Sequence, residues 1–344
     1  MPFAHANAFP RAAHPDGVQR LKVGVIGVGS MGQNHVRVYS EIADLLGVAD
    51  PDAKAGSRVS DRFAVNYYPD YRTMLREGVQ AVSVCVPTSL HFQVAKDVVA
   101  AGVHLLVEKP LCATLPEAEE LTGLARDAGL VLAVGHVERH NPAVGFVQRS
   151  LREGTWGGLI TMSARRVSSF PERVRDVGVI LDLAVHEVDI LRYLAGSPAQ
   201  TVYALGGRRK HERFEDHANI LLEFENGVTG FIEVNWLTPM KVRRLALTCE
   251  RNFVEVDYTT QSVTISSATL MPYDPFNLYQ IPFEYDIRNV SLRKEEPLKK
   301  ELEDFLGAVK ETRAPLVSGE DAMETMRVAE AAMRSHRERK RIEL

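Results

Sequence analysis

A short glycine loop near the start of the chain constrains the fold more than any other feature of the sequence. It reads Gly27-Val28-Gly29-Ser30-Met31-Gly32 and directly follows a β-type run, Lys22 to Ile26. The first glycine of such a loop permits a tight turn, the second lets a ligand approach the backbone, and the third lets a helix pack closely on the strand. The pattern therefore predicts a strand, a turn and a helix that open a βαβ unit.

From Leu21 to about Glu138, short β-branched runs alternate with helical periodicity, which is typical of a parallel sheet between helices. We predict strands at Lys22 to Ile26, Leu45 to Ala49, Asn66 to Tyr68, Val82 to Val86, Val103 to Val107 and Leu130 to Val134. These residues predict an N-terminal Rossmann domain with a doubly wound parallel sheet.

The pattern changes after about Asn141. A predicted helix is followed by longer β-type runs, at 142–152 and then at 159–167, 201–205, 219–225, 229–236 and 242–248. Asn226-Gly227 lies between two of these runs and predicts a hairpin in which both turn residues take positive φ. We expect a C-terminal α/β domain with an open, mostly antiparallel sheet, followed by helical periodicity from about Leu298 to His336.

Asp50 ends the second predicted strand, 18 residues after Gly32. An acidic side chain there accepts hydrogen bonds from an adenosine ribose and repels a 2′-phosphate, and the helix N-terminus offers N–H groups to phosphates. The sequence therefore predicts NAD as the cofactor, with NADP less favoured. The predicted cofactor-binding residues are Gly27, Gly29, Ser30, Met31, Gly32, Asp50, Pro87, Thr88, His91, Glu108 and Lys109.

Two further loops follow predicted strands at the edge of the sheet where ligands collect. Glu108-Lys109-Pro110 closes one strand, so Lys109 is placed to meet a bound cofactor; the alternative is a surface lysine paired with Glu108. Pro87, Thr88 and His91 lie in the other loop, for which a capped helix start and a cofactor contact both remain open.

Asp182 and His186 are four residues apart in a stretch, Val179 to Tyr193, whose apolar positions mark one helical face. Asp182, His186 and Asp189 then share the opposite, polar face. A histidine has a pKa near neutrality and suits removal of a hydroxyl proton as hydride leaves carbon. A solvated helix face and a two-ligand metal site are the alternatives; no third ligand has metal spacing, so we predict no metal.

Composition excludes several classes of protein. A net charge of -4 argues against nucleic-acid binding, and no run approaches 18 uncharged apolar residues, so no membrane span is expected. Three cysteines, far apart and odd in number, suit reduced thiols in the cytoplasm. The first 20 residues lack the apolar region of a secretory signal.

These motifs together resemble the glucose-fructose oxidoreductase/inositol dehydrogenase/MocA family, over nearly the whole chain from Leu21. The resemblance implies NAD-dependent oxidation of a CH–OH group, with Lys109, His186 and Asp182 as the catalytic residues. It also implies an open sheet that builds homodimers or homotetramers. Ala184 departs from the family, which often has glycine there. The matching motifs are Gly27 to Gly32, Asp50, Glu108-Lys109-Pro110, Gly135-His136, Asn141-Pro142 and Asp182 to His186.

Four arginines, Arg165, Arg166, Arg173 and Arg175, precede the predicted catalytic helix. Guanidinium groups bind phosphate oxygens in pairs, which favours a diphosphate-bearing substrate; a charged loop at a subunit interface is the alternative. The surrounding residues resemble the family's UDP-N-acetylglucosamine 3-dehydrogenase branch, which oxidises a sugar 3-hydroxyl. The predicted substrate-binding residues are Arg139, Asn141, Arg173 and Arg175.

We therefore predict an oxidoreductase that acts on a sugar or sugar nucleotide, most consistent with a UDP-linked N-acetylamino sugar. The alternatives are an inositol or free-sugar dehydrogenase, a glycosidase that uses NAD transiently, and a non-catalytic NAD-binding regulator. At 344 residues two domains are expected. We expect a flexible extension at 1–20, an NAD-binding Rossmann domain at 21–140 and a substrate-binding and oligomerisation domain at 141–344, whose C-terminal helices can pack back on the Rossmann domain.

Overall fold

The computed structural model describes residues 20–171, 177–271, 274–277, 279 and 283–344 of the chain. These residues form two compact units. Unit 1 comprises residues 20–137 and Glu296–Glu324, and unit 2 comprises Glu138–Glu295 and Thr325–Leu344. Each unit thus combines an early and a late stretch of the chain. Among the described residues, no helix is both long enough and apolar enough to cross a bilayer.

Unit 1 contains a six-stranded sheet in the order β3-β2-β1-β4-β5-β6, with every pair of neighbours parallel. The strands are β1 (Lys22–Ile26), β2 (Asp44–Ala49), β3 (Asn66–Tyr68), β4 (Ala81–Val84), β5 (His104–Glu108) and β6 (Leu132–Gly135). The order reverses between β1 and β4, which places the ends of these two strands at the point where ligands bind in such sheets. The predicted Rossmann sheet is confirmed.

Unit 2 contains a nine-stranded sheet in the order β14-β13-β12-β11-β7-β10-β9-β8-β15. Its strands are β7 (Leu159–Val167), β8 (Ala199–Gly207), β9 (His217–Phe224), β10 (Thr229–Asn235), β11 (Val242–Cys249), β12 (Phe253–Asp257), β13 (Ser262–Leu270), β14 (Phe283–Val290) and β15 (Ile342–Glu343). Among the described residues of this sheet, only β7 and β10 pair in parallel. The predicted mostly antiparallel sheet is confirmed, and it is larger than predicted because β12 to β15 were not anticipated.

The helices divide between the two units. They are α1 (Ser30–Ile42), α2 (Ala53–Phe63), α3 (Tyr71–Arg76), α4 (Thr88–Ala100), α5 (Leu115–Asp127), α6 (Pro142–Arg152), α7 (Val185–Ala195), α8 (Pro297–Glu311) and α9 (Gly319–Glu338). A 3₁₀ turn spans Val137–His140, and a π-helical turn spans Ile180–Ala184 immediately before α7. The apolar stripe of α8, which includes Leu302 and Phe305, joins the core of unit 1 with α1 and the sheet.

The hairpin predicted at Asn226-Gly227 is present between β9 and β10, but its turn differs from the prediction. Gly227 alone has a positive φ, of 83°. The Gly227 N–H donates to the Phe224 carbonyl, and the Asn226 side chain accepts a hydrogen bond from the Val228 N–H. One glycine after a turn of ordinary handedness is the arrangement of a longer hairpin loop, so Asn226 need not adopt positive φ.

Candidate active site

In the glycine loop of unit 1, the first and last glycines leave no room for a side chain, whereas the middle glycine faces open space. Gly27 has a φ of 88°, and a Cβ atom on Gly32 would lie 1.9 Å from the Gly27 carbonyl oxygen. A Cβ atom on Gly29 would meet no atom within 4 Å. Because α1 begins at Ser30 with Gly29 as its N-cap, its first N–H groups are available at the open part of the loop. The loop therefore fits a pyrophosphate.

Asp50 lies at the end of β2, next to this loop. Its carboxylate accepts hydrogen bonds from the Val28 N–H at 2.8 Å and from the Asp52 N–H at 2.9 Å. Each oxygen has a further lone pair with which to accept from another donor. The side chain is thus fixed beside the glycine loop, as recognition of an adenosine ribose requires.

Glu108, at the end of β5, belongs to a buried hydrogen-bonded chain. Its carboxylate contacts His35 Nε2 at 2.9 Å and accepts from the Lys109 N–H at 3.2 Å, while His35 Nδ1 contacts Ser83 Oγ at 3.0 Å. Burial alone would raise the pKa of Glu108, but the hydrogen bond and charge of His35, together with the charge and N–H of Lys109, outweigh burial and the pKa is lowered. Glu108 is 9% exposed, and its contacts connect the Lys109 backbone to His35 of α1.

His35, Cys85 and Glu108 could in principle hold a metal ion, since their ligand atoms lie within 4.8 Å of one another. Both ring nitrogens of His35 already have hydrogen-bond partners. Burial also raises the pKa of Cys85 well above its usual range, which keeps the thiol neutral, whereas metals bind the thiolate. The cluster is therefore better described as a polar network than as a metal centre.

His91, on α4, is 1% exposed. Its two ring nitrogens lie 2.8 Å from the Pro110 carbonyl oxygen and 2.9 Å from the Val86 carbonyl oxygen. Pro87 is the N-cap of α4, and Thr88 is its first residue. The geometry favours a role for His91 in joining the loop after β4 to the loop after β5, which the sequence did not indicate.

In unit 2, Asp182 and His186 lie on either side of a change in helical geometry. Asp182 belongs to the π-helical turn and His186 to the first turn of α7, and both are half-buried. The start of the turn is held by Glu215, whose carbonyl and side chain accept from the N–H groups of Val179 and Ile180 at 2.9 and 3.2 Å. π-Helical turns are frequent at functional sites, and this one re-aims Asp182 relative to a regular helix.

The predicted polar face of this helix is wrong in one respect. Asp189 does not face solvent with Asp182 and His186, because it is 1% exposed and forms a buried ion pair. Arg139 donates to both of its carboxylate oxygens, from Nε at 2.9 Å and from Nη2 at 2.6 Å. The Thr325 hydroxyl also contacts Asp189, at 3.2 Å. The geometry thus favours Arg139 as a residue that positions α7 through Asp189, rather than one that binds substrate directly.

Asn141, also predicted to bind substrate, is buried at the N-terminus of α6. Its side chain accepts from the Ala143 N–H at 3.1 Å and donates to the Tyr258 carbonyl at 3.0 Å and to Glu138 at 3.3 Å. These bonds satisfy a helix end and tie it to the sheet. A helix cap with Pro142 after it could have been read from the sequence.

Of the four arginines proposed for phosphate binding, Arg173 and Arg175 lie outside the described residues. Arg165 pairs with Glu233 on the exposed face of the sheet. Arg166 is buried and contacts Glu187 and Glu138. The geometry does not favour Arg165 and Arg166 as joint ligands of a diphosphate, because alternate residues of β7 point to opposite sheet faces and each arginine finds an acidic partner there.

The parallel sheet, the glycine loop and Asp50 are typical of a dinucleotide-dependent enzyme, and comparison with known proteins agrees with this class. Residues 21–136 match the oxidoreductase family with an NAD-binding Rossmann fold, and residues 146–255 match the GFO/IDH/MocA C-terminal domain. The chain therefore belongs to the GFO/IDH/MocA family of oxidoreductases. The prediction of a nicotinamide-dependent dehydrogenase that acts on CH–OH groups is confirmed at the level of this family.

Two characterised relatives match most of the chain. The UDP-N-acetylglucosamine 3-dehydrogenase of Acidithiobacillus ferrooxidans is 32% identical over 301 residues, which are 87% of this chain and 92% of that protein. Its solved structure superimposes with a TM-score of 0.83, covering 92% of this chain and 97% of that one at 30% identity. The scyllo-inositol 2-dehydrogenase (NAD(+)) of Bacillus subtilis is 25% identical over 334 residues, covering 92% and 94%.

Proposed function

We propose that the chain is an NAD-dependent dehydrogenase that oxidises the 3-hydroxyl of a UDP-linked N-acetylamino sugar. The observation that carries this proposal is the extent of the similarity to the Acidithiobacillus enzyme, which includes 92% of that protein. The similarity therefore runs through unit 2, where the proposed substrate residues lie, as well as through the glycine loop that many dehydrogenases share.

NAD fits the residues of unit 1. The glycine loop and the N-terminus of α1 would hold the pyrophosphate, and the Asp50 carboxylate would accept from the ribose hydroxyls and repel a 2′-phosphate. Bound NAD supplies the nicotinamide ring that accepts a hydride from the substrate carbon. Lys109, whose backbone is anchored through Glu108, is proposed to polarise the reacting hydroxyl and stabilise negative charge that develops on its oxygen.

In unit 2, His186 is proposed to act as the general base. Its imidazole would take the proton of the hydroxyl while the hydride leaves the same carbon, so that a ketone forms and the histidine becomes protonated. Asp182 is proposed to accept a hydrogen bond from a substrate hydroxyl and fix the sugar ring. The Glu215 contacts and the Arg139–Asp189 pair would hold the turn and α7 in position while this happens.

The test is a panel assay of NADH absorbance at 340 nm with UDP-N-acetylglucosamine, its uronic acid, scyllo- and myo-inositol, and free N-acetylglucosamine, each with NAD or NADP. We expect the highest kcat/KM with a UDP-linked sugar and NAD. A higher kcat/KM with an inositol would contradict the UDP-sugar assignment and would favour the activity of the Bacillus relative. Cleavage of a glycoside without net NADH would instead identify a glycosidase.

The exposed face of the unit 2 sheet supports a further proposal, that two copies of the chain associate through it. Helices cover one face, while on the other Tyr203, Leu221 and Phe231 lie side by side on β8, β9 and β10. Leu221 is 52% exposed and Phe231 is 36% exposed. Neighbouring apolar side chains on an uncovered sheet face are typical of a protein interface, and a homodimer or homotetramer would bury them.

A further inference from the structure

Two cations, Lys241 and Arg243, stand at the start of β11, and Arg243 is linked through Glu138 and Arg166 to Glu187 of α7. Arg243 lies directly opposite Arg166 in the β7–β11 pair, so both side chains are on the helix-covered face of the sheet. Glu138 bridges them: its Oε1 accepts from Arg166 at 2.8 Å and from Arg243 Nη1 at 3.2 Å. Like charges placed opposite one another repel unless an acid joins them, and Glu138 supplies that acid.

The two arginines differ in their access to solvent. The Arg166 side chain is 3% exposed and the Arg243 side chain is 33% exposed. Across the residues that the structure describes, the bond to Glu138 is the one hydrogen bond of the Arg243 side chain, while the Arg243 backbone carbonyl accepts from the Tyr258 N–H. A guanidinium has five N–H donors, so several donors of Arg243 remain for a ligand while one fixes its orientation.

Lys241 adds a second accessible charge. It precedes Arg243 by two residues, is exposed, and makes no ion pair within the described part of the chain. The Arg243 charge is the largest cause of a lowered pKa at Lys241, followed by burial and the charge of Arg166. Burial and the charge of Arg166 lower the pKa of Arg243, and the nearby acids Glu138, Glu187 and Asp182 offset part of that lowering. Arg243 thus lies within electrostatic range of Asp182, and its partner Glu138 also binds Arg166, which contacts the Glu187 that follows His186.

We infer that Lys241 and Arg243 form an anion subsite that binds the diphosphate of a nucleotide-linked sugar whose ring contacts Asp182. The inference rests on the proposed function. Lys241 directly precedes β11, and two residues of extended chain separate Cα atoms by roughly 7 Å. A diphosphate presents a charge to each cation, and its oxygens are matched by the ammonium and by the guanidinium fork. Arg165 and Arg166 do not belong to this subsite, because Arg165 lies on the opposite sheet face and Arg166 is buried between two acids.

The test is calorimetric titration of UDP into the full chain saturated with NAD, so that UDP cannot occupy the cofactor site. Lys241→Gln and Arg243→Gln should each raise the Kd for UDP about tenfold to a hundredfold, the worth of a charge-assisted hydrogen bond. Arg244→Gln is the matched control, because this substitution also removes one positive charge. Arg244 lies one residue along the strand, on the opposite sheet face and near Asp257. The Kd of this variant for UDP should change less than twofold.

The subsite is overturned if Lys241→Gln binds UDP as the wild type does, if Arg244→Gln weakens binding equally, or if the NAD-saturated wild type does not bind UDP. If loss of the Glu138 bridge prevents Arg243→Gln from folding, the Kd of Lys241→Gln alone tests the subsite. Because calorimetry measures binding without turnover, it separates the proposed subsite from the proposed oxidation reaction. UDP binding that depends on Lys241, with no oxidation of any UDP-sugar, would support the subsite and contradict the reaction.

Discussion

At the scale of single residues, buried acids fix the positions of their neighbours. Asp189 forms an ion pair with Arg139, and Glu108 contacts His35 and accepts from the Lys109 N–H. Hydrophobic periodicity separates polar from apolar faces, but it does not tell a solvated polar face from one that is buried against a partner. The sequence therefore indicated Asp182 and His186 as candidates and yet misplaced Asp189, since its partner is 50 residues away along the chain.

His186→Ala tests the proposed base. Loss of a positioned base should lower kcat by roughly 10² to 10⁴-fold. NAD affinity should not change, because the glycine loop and Asp50 remain intact. Steady-state NADH formation and NAD titration measure the two quantities, and added imidazole should restore part of the turnover. A kcat within threefold of the wild-type value would contradict the assignment.

At the scale of elements, a single carboxylate organises the loop that supports the candidate catalytic turn. Asp216 Oδ2 accepts from the N–H groups of Arg209, Lys210 and His211 at 2.7, 2.6 and 3.0 Å. The preceding residue, Glu215, makes the contacts that hold the start of the π-helical turn. Asp216 thus fixes the loop next to Glu215, the residue that contacts the start of the π-helical turn.

Asp216→Asn should destabilise this loop in a pH-dependent way. Burial would raise the pKa of Asp216, but hydrogen bonds from His217 and from three N–H groups lower it to about 2. Because the folded-state pKa is depressed, the stabilisation is complete above about pH 4 and is lost as pH falls towards 2. We expect a cost of about 1 to 2 kcal/mol at pH 7 and a smaller one at pH 3, measured by urea unfolding.

The matched control for that variant is Asp257→Asn. Asp257 also accepts from two N–H groups of a turn, those of Thr259 and Thr260, but it is partly exposed. Its replacement should cost less than 1 kcal/mol. An Asp216→Asn variant whose stability equals that of the Asp257→Asn variant at both pH values would show that Asp216 does not have the special role described.

Which elements the sequence predicts depends on their burial. The strands of unit 1 are buried on both faces, so their β-branched runs stand out. In contrast, β13 and β14 are rich in serine, threonine and charged residues because much of their surface is exposed, and the alternation that marks a strand is weak there.

The π-helical turn was also missed, since its one-residue insertion leaves the spacing of Leu181, Val185 and Val188 compatible with an ordinary helix. Arg243 and Lys241 carried no motif, and strand pairing alone brings Arg243 beside Arg166.

At the scale of the whole molecule, the uncovered sheet face makes assembly testable. Leu221→Glu combined with Phe231→Glu places charge at the centre of the proposed interface, where desolvation disfavours association. The double variant should elute as a monomer in size exclusion with light scattering, while wild type elutes as a dimer or tetramer. Leu316→Glu, at an exposed leucine of unit 1, is the control and should leave the mass unchanged. A monomeric wild type would contradict the assembly.

The interleaving of the two units along the chain has a consequence for biosynthesis. The six strands of unit 1 are complete once Gly135 has been made, but the apolar stripe of α8 that packs with α1 follows only after β14 of unit 2. During synthesis the nascent first unit therefore exposes apolar surface until α8 emerges, a state in which chains aggregate or recruit chaperones. The sheet of unit 2 is likewise incomplete until β15, which pairs with β8, has been synthesised. A fragment cut near residue 140 would lack part of its own core, so an isolated NAD-binding unit would have to join residues 20–137 to 296–324 by an engineered linker.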